Sequence, residues 1–144
     1  MCYTLLLSTD SPVDLSMHND SLIAFSRELP ESGDERFLGY PFKWFVGSRT
    51  GCSCGFRHLY VDSVGLGFDE PVDWYPEETD DIEATIRFIA IVRELVAAGA
   101  SVDCVNAWAH GDEPLQLAGT VHVDLQGTRN QAFRFYENHR FLFS

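Results

Sequence analysis

The sequence predicts an α+β fold, with a mainly antiparallel sheet of about five or six strands and one long helix, about residues 80–98, packed on a face. Two patterns predict it. Apolar residues recur at helical spacing after position 80, and short apolar segments separated by turn-forming residues fill most of the remaining chain. The chain has 144 residues, which fits a single domain over 1–144.

Strands are predicted before the helix wherever an apolar run is bounded by turn formers. Residues 3–7 form a largely buried run that ends in a polar stretch containing Pro12. Residues 42–48 alternate, with both faces at least partly covered. Weaker patterns predict strands at 21–29 and 58–64.

The helix has start and stop signals. Asp80 with Glu83 fits the acidic form of a capping box, and Gly99 suits the position just past the C-terminus. The apolar stripe is wide, so the helix is expected to lie flat on a sheet or to be shared with a second subunit. Its residues are Ile82, Ile86, Ile89, Val92 and Val96, widened by Phe88, Ile91 and Leu95.

Three further strands are expected after the helix, at residues 102–109, 120–126 and 133–143. Positions 120–126 alternate cleanly, with Val121, Val123 and Leu125 inward. Residues 127–130 are predicted to join the last two strands as a hairpin loop. This pairing makes the predicted sheet mainly antiparallel.

Charge and targeting signals exclude several function classes. The chain carries 22 acidic and 10 basic residues, a net charge of −12, which repels nucleic acid and anionic membranes. The N-terminus lacks the basic and long apolar regions of a signal peptide, and no apolar run is long enough to span a bilayer. A cytoplasmic protein with free thiols is therefore predicted.

Residues 51–58, Gly-Cys-Ser-Cys-Gly-Phe-Arg-His, form the candidate metal site. Cys52 and Cys54 offer two thiols on a turn, and His58 offers a third ligand for a soft ion such as zinc. The spacing of one residue is shorter than structural zinc sites use. Cys2 or Cys104 would have to complete the set through the fold, and Cys104 is expected to be a small buried hydrophobe.

The same segment has two other interpretations. Arg57 and His58 lie close enough in sequence to lower a thiol pKa, which favours redox or nucleophilic use. Alternatively, Cys52 and Cys54 are ordinary thiols on a tight loop and have no function. This is the leading interpretation from the sequence alone.

Two other places are candidates for contact with a ligand or partner. His110 and Asp112 follow a predicted strand, where they form either an acid–base or cation site or simply a turn. Trp74 and Tyr75 lie between prolines in an acidic segment, where aromatic residues favour a partner surface. Arg57 joins them as a candidate binding residue.

The sequence thus predicts a small acidic α+β domain that binds an unknown small molecule or protein, with no catalytic residue assigned. The first alternative is a metal- or thiol-dependent site on residues 52–58. The second is a homodimeric regulatory or inhibitory protein whose acidic face covers a basic partner. No phosphate loop, zinc-protease helix motif or nucleophile elbow is present in the sequence.

Overall fold

The computed structural model describes residues 2–59 and 77–144, and within them it has one α-helix and a six-stranded mixed sheet. The predicted α+β class is confirmed. The elements are β1 (Tyr3–Thr9), β2 (Ile23–Ser26), β3 (Phe42–Ser48), β4 (His58–Leu59), α1 (Thr79–Ala97), β5 (Val102–Trp108), β6 (Gly119–Val123), β7 (Phe135–Tyr136) and β8 (His139–Phe143).

The strand order is β2-β3-β1-β5-β8-β6, with β1 at the centre between two antiparallel neighbours. The pairs β2–β3 and β5–β8 are also antiparallel, whereas β6 and β8 run parallel. The short strands β4 and β7 pair in a separate parallel sheet. The sheet is therefore mainly antiparallel, as predicted, with one parallel edge.

The predicted hairpin at residues 127–130 is wrong. Parallel neighbours cannot be joined by a tight hairpin, because the chain has to return to the same end of the sheet. Here it does so through a 3-10 turn, Asn130–Ala132, and then β7. The guanidinium of Arg93 on α1 donates to the carbonyls of Leu125 and Thr128, which holds this connection against the helix.

The core lies mainly between α1 and one face of the sheet. Phe88 is fully buried there and packs edge-on against Phe135, with 5.0 Å between ring centroids. Leu5 and Leu7 point into this core, while Leu6 between them points to a smaller core on the opposite face. Most of the predicted apolar stripe is buried in this core, whereas Ile82 and Ile86 at its N-terminal end are only partly buried.

The sequence prediction is right for the C-terminal end of α1 and wrong for its N-terminal end. Its last turn closes as predicted: Gly99 has φ +93°, and the N–H groups of Gly99 and Ala100 donate to the carbonyls of Val96 and Leu95. The predicted capping box is wrong. Asp80 lies inside the first turn, and the preceding Glu78 makes no side-chain capping bond. Across residues 2–59 and 77–144, no helix combines the length and apolarity needed to cross a membrane.

Candidate metal centre

The loop after β3 is folded back and fixed by hydrogen bonds to the end of that strand. Ser48 N–H donates to the Cys52 carbonyl at 2.8 Å, and its hydroxyl donates to the same carbonyl at 2.7 Å. Gly51, at φ +84°, makes the turn. Arg49 ties the loop to the start of α1, with ion pairs to Glu78 at 2.7 Å and Asp81 at 2.5 Å. The cysteines therefore lie on a braced turn.

The same loop takes the place of β3 beside the first residues of β1. The β1–β3 pairing begins at Leu5–Val46. There the Ser53 hydroxyl accepts from Leu5 N–H at 2.9 Å and donates to the Val46 carbonyl at 2.6 Å. Two residues closer to the N-terminus, Tyr3 N–H donates to the sulfur of Cys54 at 3.3 Å. This replacement brings the loop cysteines to the start of β1.

Three thiols meet as a result. The Sγ atoms of Cys2, Cys52 and Cys54 all lie within 4.8 Å of one another. Cys2 is exposed, and the other two side chains are half-buried. We refer to these three residues as the thiol cluster. The sequence proposed Cys2 or Cys104 as the third thiol, and the fold selects Cys2.

The two loop thiols have opposite protonation tendencies. Burial opposes ionisation of Cys52, but hydrogen bonds from the Thr50 hydroxyl, the Cys54 backbone N–H and the neighbouring thiols lower its pKa to about 7. Thr50 Oγ1 lies 3.2 Å from this sulfur. Burial together with the adjacent Cys52 raises the pKa of Cys54 to about 12, against a smaller lowering by Tyr3 N–H. Of these two thiols, Cys52 therefore ionises more readily than Cys54.

His58 has a different position from the one the sequence suggested. Its Nε2 lies 2.6 Å from the Ser53 carbonyl, and its ring stacks on Tyr3 with 3.8 Å between centroids. Burial lowers its pKa to about 4, although the Ser53 carbonyl acts in the opposite direction. His58 is not among the residues whose ligand atoms converge in this cluster. Its neutral ring acts as packing under the loop that carries Cys54.

Cys104 is buried in the main apolar core. Its side chain is fully enclosed among the apolar residues between sheet and helix. Burial, with a smaller contribution from the Asp103 carboxylate, raises its pKa well above the ordinary value. It behaves as the small buried hydrophobe that the sequence predicted.

Arg57 lies in the interior as part of a second polar cluster, the Glu77 cluster, which consists of Arg57, Glu77 and Arg134. Glu77 contacts Arg57 Nε at 2.7 Å and Arg134 Nη2 at 3.1 Å. Arg57 also donates to the carbonyls of Gln131 and Phe133. Its side chain has no exposed surface, so this position does not favour ligand contact, and it is not among the groups that lower the Cys52 pKa.

His110 lies beside the thiol cluster rather than in it. A cavity of about 240 Å³ is lined by both Cys2 and His110, together with Asp34. His110 Nε2 lies 2.9 Å from the buried carboxylate of Asp34, and its Nδ1 faces the Glu113 carbonyl. Since both ring nitrogens face acceptors, neither is directed at the thiols. Asp112 is exposed at the tip of the same loop.

Trp74 and Tyr75 lie outside the described residues. Sequence reasoning missed Asp34 and Thr50. A hydroxyl two positions before a cysteine is a local signal that would have found Thr50, whereas Asp34 meets His110 across 76 positions and left no such signal.

No protein-family model matches this sequence, and neither the curated proteins nor the solved structures contain a match. The chemistry of the site therefore rests on its own residues.

Proposed function

We propose that this protein binds a thiophilic metal ion, Zn²⁺ in the first instance, through Cys2, Cys52 and Cys54. The observation that supports the proposal is the convergence of three sulfurs within 4.8 Å of one another. These sulfurs come from two segments about fifty positions apart in the sequence. Thiolate ligands favour Zn²⁺ and Cu⁺ over the hard cations that prefer oxygen.

The spacing fits this ion after a small contraction. A Zn–S bond of about 2.3 Å in tetrahedral geometry separates two sulfurs by roughly 3.8 Å. The sulfurs must therefore approach by about 1 Å at most. Cys2 is the exposed member, whereas Cys54 is held by Tyr3 N–H and Cys52 lies near the Thr50 hydroxyl. Movement of the Cys2 side chain is therefore the least costly way to bring the three sulfurs to the spacing that zinc needs.

Metal binding would release a proton from the cluster. A divalent cation favours the thiolate form of its ligands, so binding releases the proton that Cys54 holds. Cys52, with a pKa near 7, needs little help to ionise and supplies the first ligand. The affinity is therefore expected to rise with pH across the neutral range.

The fourth position is left open by the residues described. No fourth His, Cys, Asp or Glu from 2–59 or 77–144 joins the three thiols. Zinc centres with three protein ligands and one exchangeable position are the usual arrangement where the metal contacts a small molecule. The proposal thus keeps the small-molecule binding predicted from the sequence and places it at the metal.

The test is a competitive zinc titration of reduced, chelator-treated protein against a chromophoric chelator. We expect one Zn²⁺ per chain. Cys2→Ala, Cys52→Ala and Cys54→Ala should each weaken binding by more than the roughly 10–100-fold that loss of a supporting group costs. Co²⁺ substitution should give a sulfur-to-metal charge-transfer band that these variants reduce.

The matched control is Cys104→Ala, which removes the one buried thiol remote from the cluster. It should bind zinc as the parent does. The proposal fails if the parent binds zinc no more tightly than the Cys52→Ser, Cys54→Ser double variant, or if Cys104→Ala weakens binding as much as the cluster variants do.

A further inference from the structure

The thiol cluster has a second chemical possibility besides metal binding. Sulfurs within 4.8 Å need only a modest side-chain movement to reach the roughly 2 Å of a disulfide bond. Cys2 is exposed and Cys52 is half-buried, so both are open to a small oxidant. Cys104, sealed in the core, has neither a partner among the described thiols nor access.

We propose that a hydroperoxide oxidises Cys52 and Cys2 to a disulfide that joins the start of β1 to the loop after β3. The bond makes two metal ligands unavailable, so the oxidation state of the cluster controls its metal content. This last consequence rests on the proposed zinc binding, whereas the disulfide itself does not. The inference thus adds a substrate class, small hydroperoxides, and a regulation to the same three residues.

The pairing of Cys52 with Cys2 follows from what holds each sulfur. A Cys52–Cys54 bond would close a very small ring across a single intervening residue, which strains the preferred disulfide geometry. Cys54 also accepts the Tyr3 N–H bond that fixes the start of β1. Cys2 belongs to a separate segment and is exposed, so it can adopt the required dihedral angle without disturbing the loop.

The reaction balances with the peroxide as the only co-reactant. The Cys52 sulfur attacks the terminal oxygen of R–O–OH, an S–O bond forms and the O–O bond breaks. The thiol proton goes to the departing RO group, which leaves as ROH, and Cys52 is a sulfenic acid. The Cys2 thiol then attacks that sulfur, the S–S bond forms, and the hydroxyl leaves with the Cys2 proton as water. Two sulfurs each lose one electron, and the peroxide gains two.

The test uses the full chain, freed of metal and reductant, treated with a small excess of hydrogen peroxide. Peptide mapping without reduction should find Cys2 linked to Cys52 within one chain, with Cys104 still alkylatable and the link reversed by dithiothreitol. In Cys2→Ser the reaction should stop at the Cys52 sulfenic acid, which dimedone traps. Cys52→Ser should form no link, and Cys104→Ala should behave as the parent.

Cys54→Ala separates this inference from the proposed function. It should lose zinc affinity yet still form the Cys2–Cys52 bond. A chain that binds no zinc but forms this bond would overturn the proposed function and leave the disulfide standing. The disulfide proposal is overturned if the bond maps to Cys52–Cys54 or Cys2–Cys54, if it joins two chains, or if Cys52 proceeds to sulfinic acid while Cys2 stays reduced.

If both reactions occur, preloaded Zn²⁺ should be released as the disulfide forms. A fluorescent zinc indicator should report one equivalent of metal for each bond mapped, and dithiothreitol should restore binding. Retention of the metal after complete formation of the Cys2–Cys52 bond would overturn the regulatory part of the proposal.

Discussion

One loop supports two polar clusters of opposite character. The thiol cluster lies where the loop replaces β3 beside β1, partly open to solvent, with three sulfurs within 4.8 Å of one another. The Glu77 cluster lies a few residues on, where Arg57 and Arg134 enclose one carboxylate with almost no exposed surface. In the second cluster one carboxylate contacts two guanidinium groups, and all three side chains are buried. In the first, two of the three sulfurs belong to half-buried side chains and the third to an exposed one.

The two clusters therefore differ in how much their side chains are expected to contribute to stability. Buried charges that satisfy each other are costly to break, because removal of one partner leaves the other charge without compensation. A half-buried thiol is expected to contribute less to the free energy of unfolding than a fully buried one, because it removes less apolar surface from water. Variants in the two clusters should therefore affect different measurements.

The largest expected effect is on the Glu77 cluster. Glu77→Gln leaves the buried guanidinium groups of Arg57 and Arg134 without their carboxylate, and we expect it to reduce the free energy of unfolding by about 3–5 kcal/mol. Urea unfolding measures this. Glu78→Gln is the matched control, since Glu78 pairs with Arg49 but its side chain is 75% exposed, so its loss should be below about 1 kcal/mol.

The loss should also depend on pH. Burial works against ionisation of Glu77, but Arg57 and Arg134 lower its pKa below the ordinary value of 4.5. A carboxylate with a lowered pKa stabilises the fold fully above its ordinary value, and the contribution is lost as pH falls through the folded value. The gap between parent and Glu77→Gln should therefore be constant above about pH 5 and shrink in acid. Equal losses of unfolding free energy for Glu77→Gln and Glu78→Gln would contradict the expected difference between the buried and the exposed carboxylate.

A smaller effect is expected where a thiol is structural. Cys104→Ser puts a hydroxyl into a fully buried apolar site, which should cost about 1–3 kcal/mol of unfolding free energy. Cys52→Ser, at the half-buried position, should cost less. The two are compared by urea unfolding of metal-free protein, and a larger loss at Cys52 would show that the thiol cluster carries fold stability after all.

The smallest effect concerns the ionisation of Cys52. In metal-free protein its alkylation by iodoacetamide should increase with pH around a midpoint near 7, because the Thr50 hydroxyl and the other donors favour the thiolate. Thr50→Val removes one donor and should raise the midpoint by about half a pH unit to one pH unit. Thr50→Ser keeps the hydroxyl and should behave as the parent. An unchanged midpoint in Thr50→Val would exclude this hydrogen bond as a cause.

Local patterns predicted most of the fold. The bounds of β3 and the last turn of α1 follow from strand alternation and from Gly99, both of which depend on residues close in sequence. The hairpin at residues 127–130 was predicted on the same basis and is wrong. Its conformation goes with the parallel pairing of β6 and β8, and Arg93 contacts it from α1 across more than thirty positions. No local pattern carries such a contact.

The candidate site was likewise predicted only where its residues lie close together in the sequence. Cys52 and Cys54 stood out because they share a turn with two glycines. The choice of Cys2 over Cys104 as their partner depends on the strand register, which determines what lies at the start of β1. His58 was expected to face the thiols, yet its ring stacks on Tyr3. Side-chain direction is set by packing, and a single sequence does not record it.

The central position of β1 has a consequence for synthesis on the ribosome. Its partner β3 is complete by Ser48, but its other partner, β5, begins only at Val102, which pairs with Thr9. All three cluster sulfurs therefore leave the ribosome long before the sheet can close. During that interval the three thiols belong to a chain whose sheet is incomplete. If the proposed ion binds at that stage, it links the start of β1 to the loop after β3 before β5 is made.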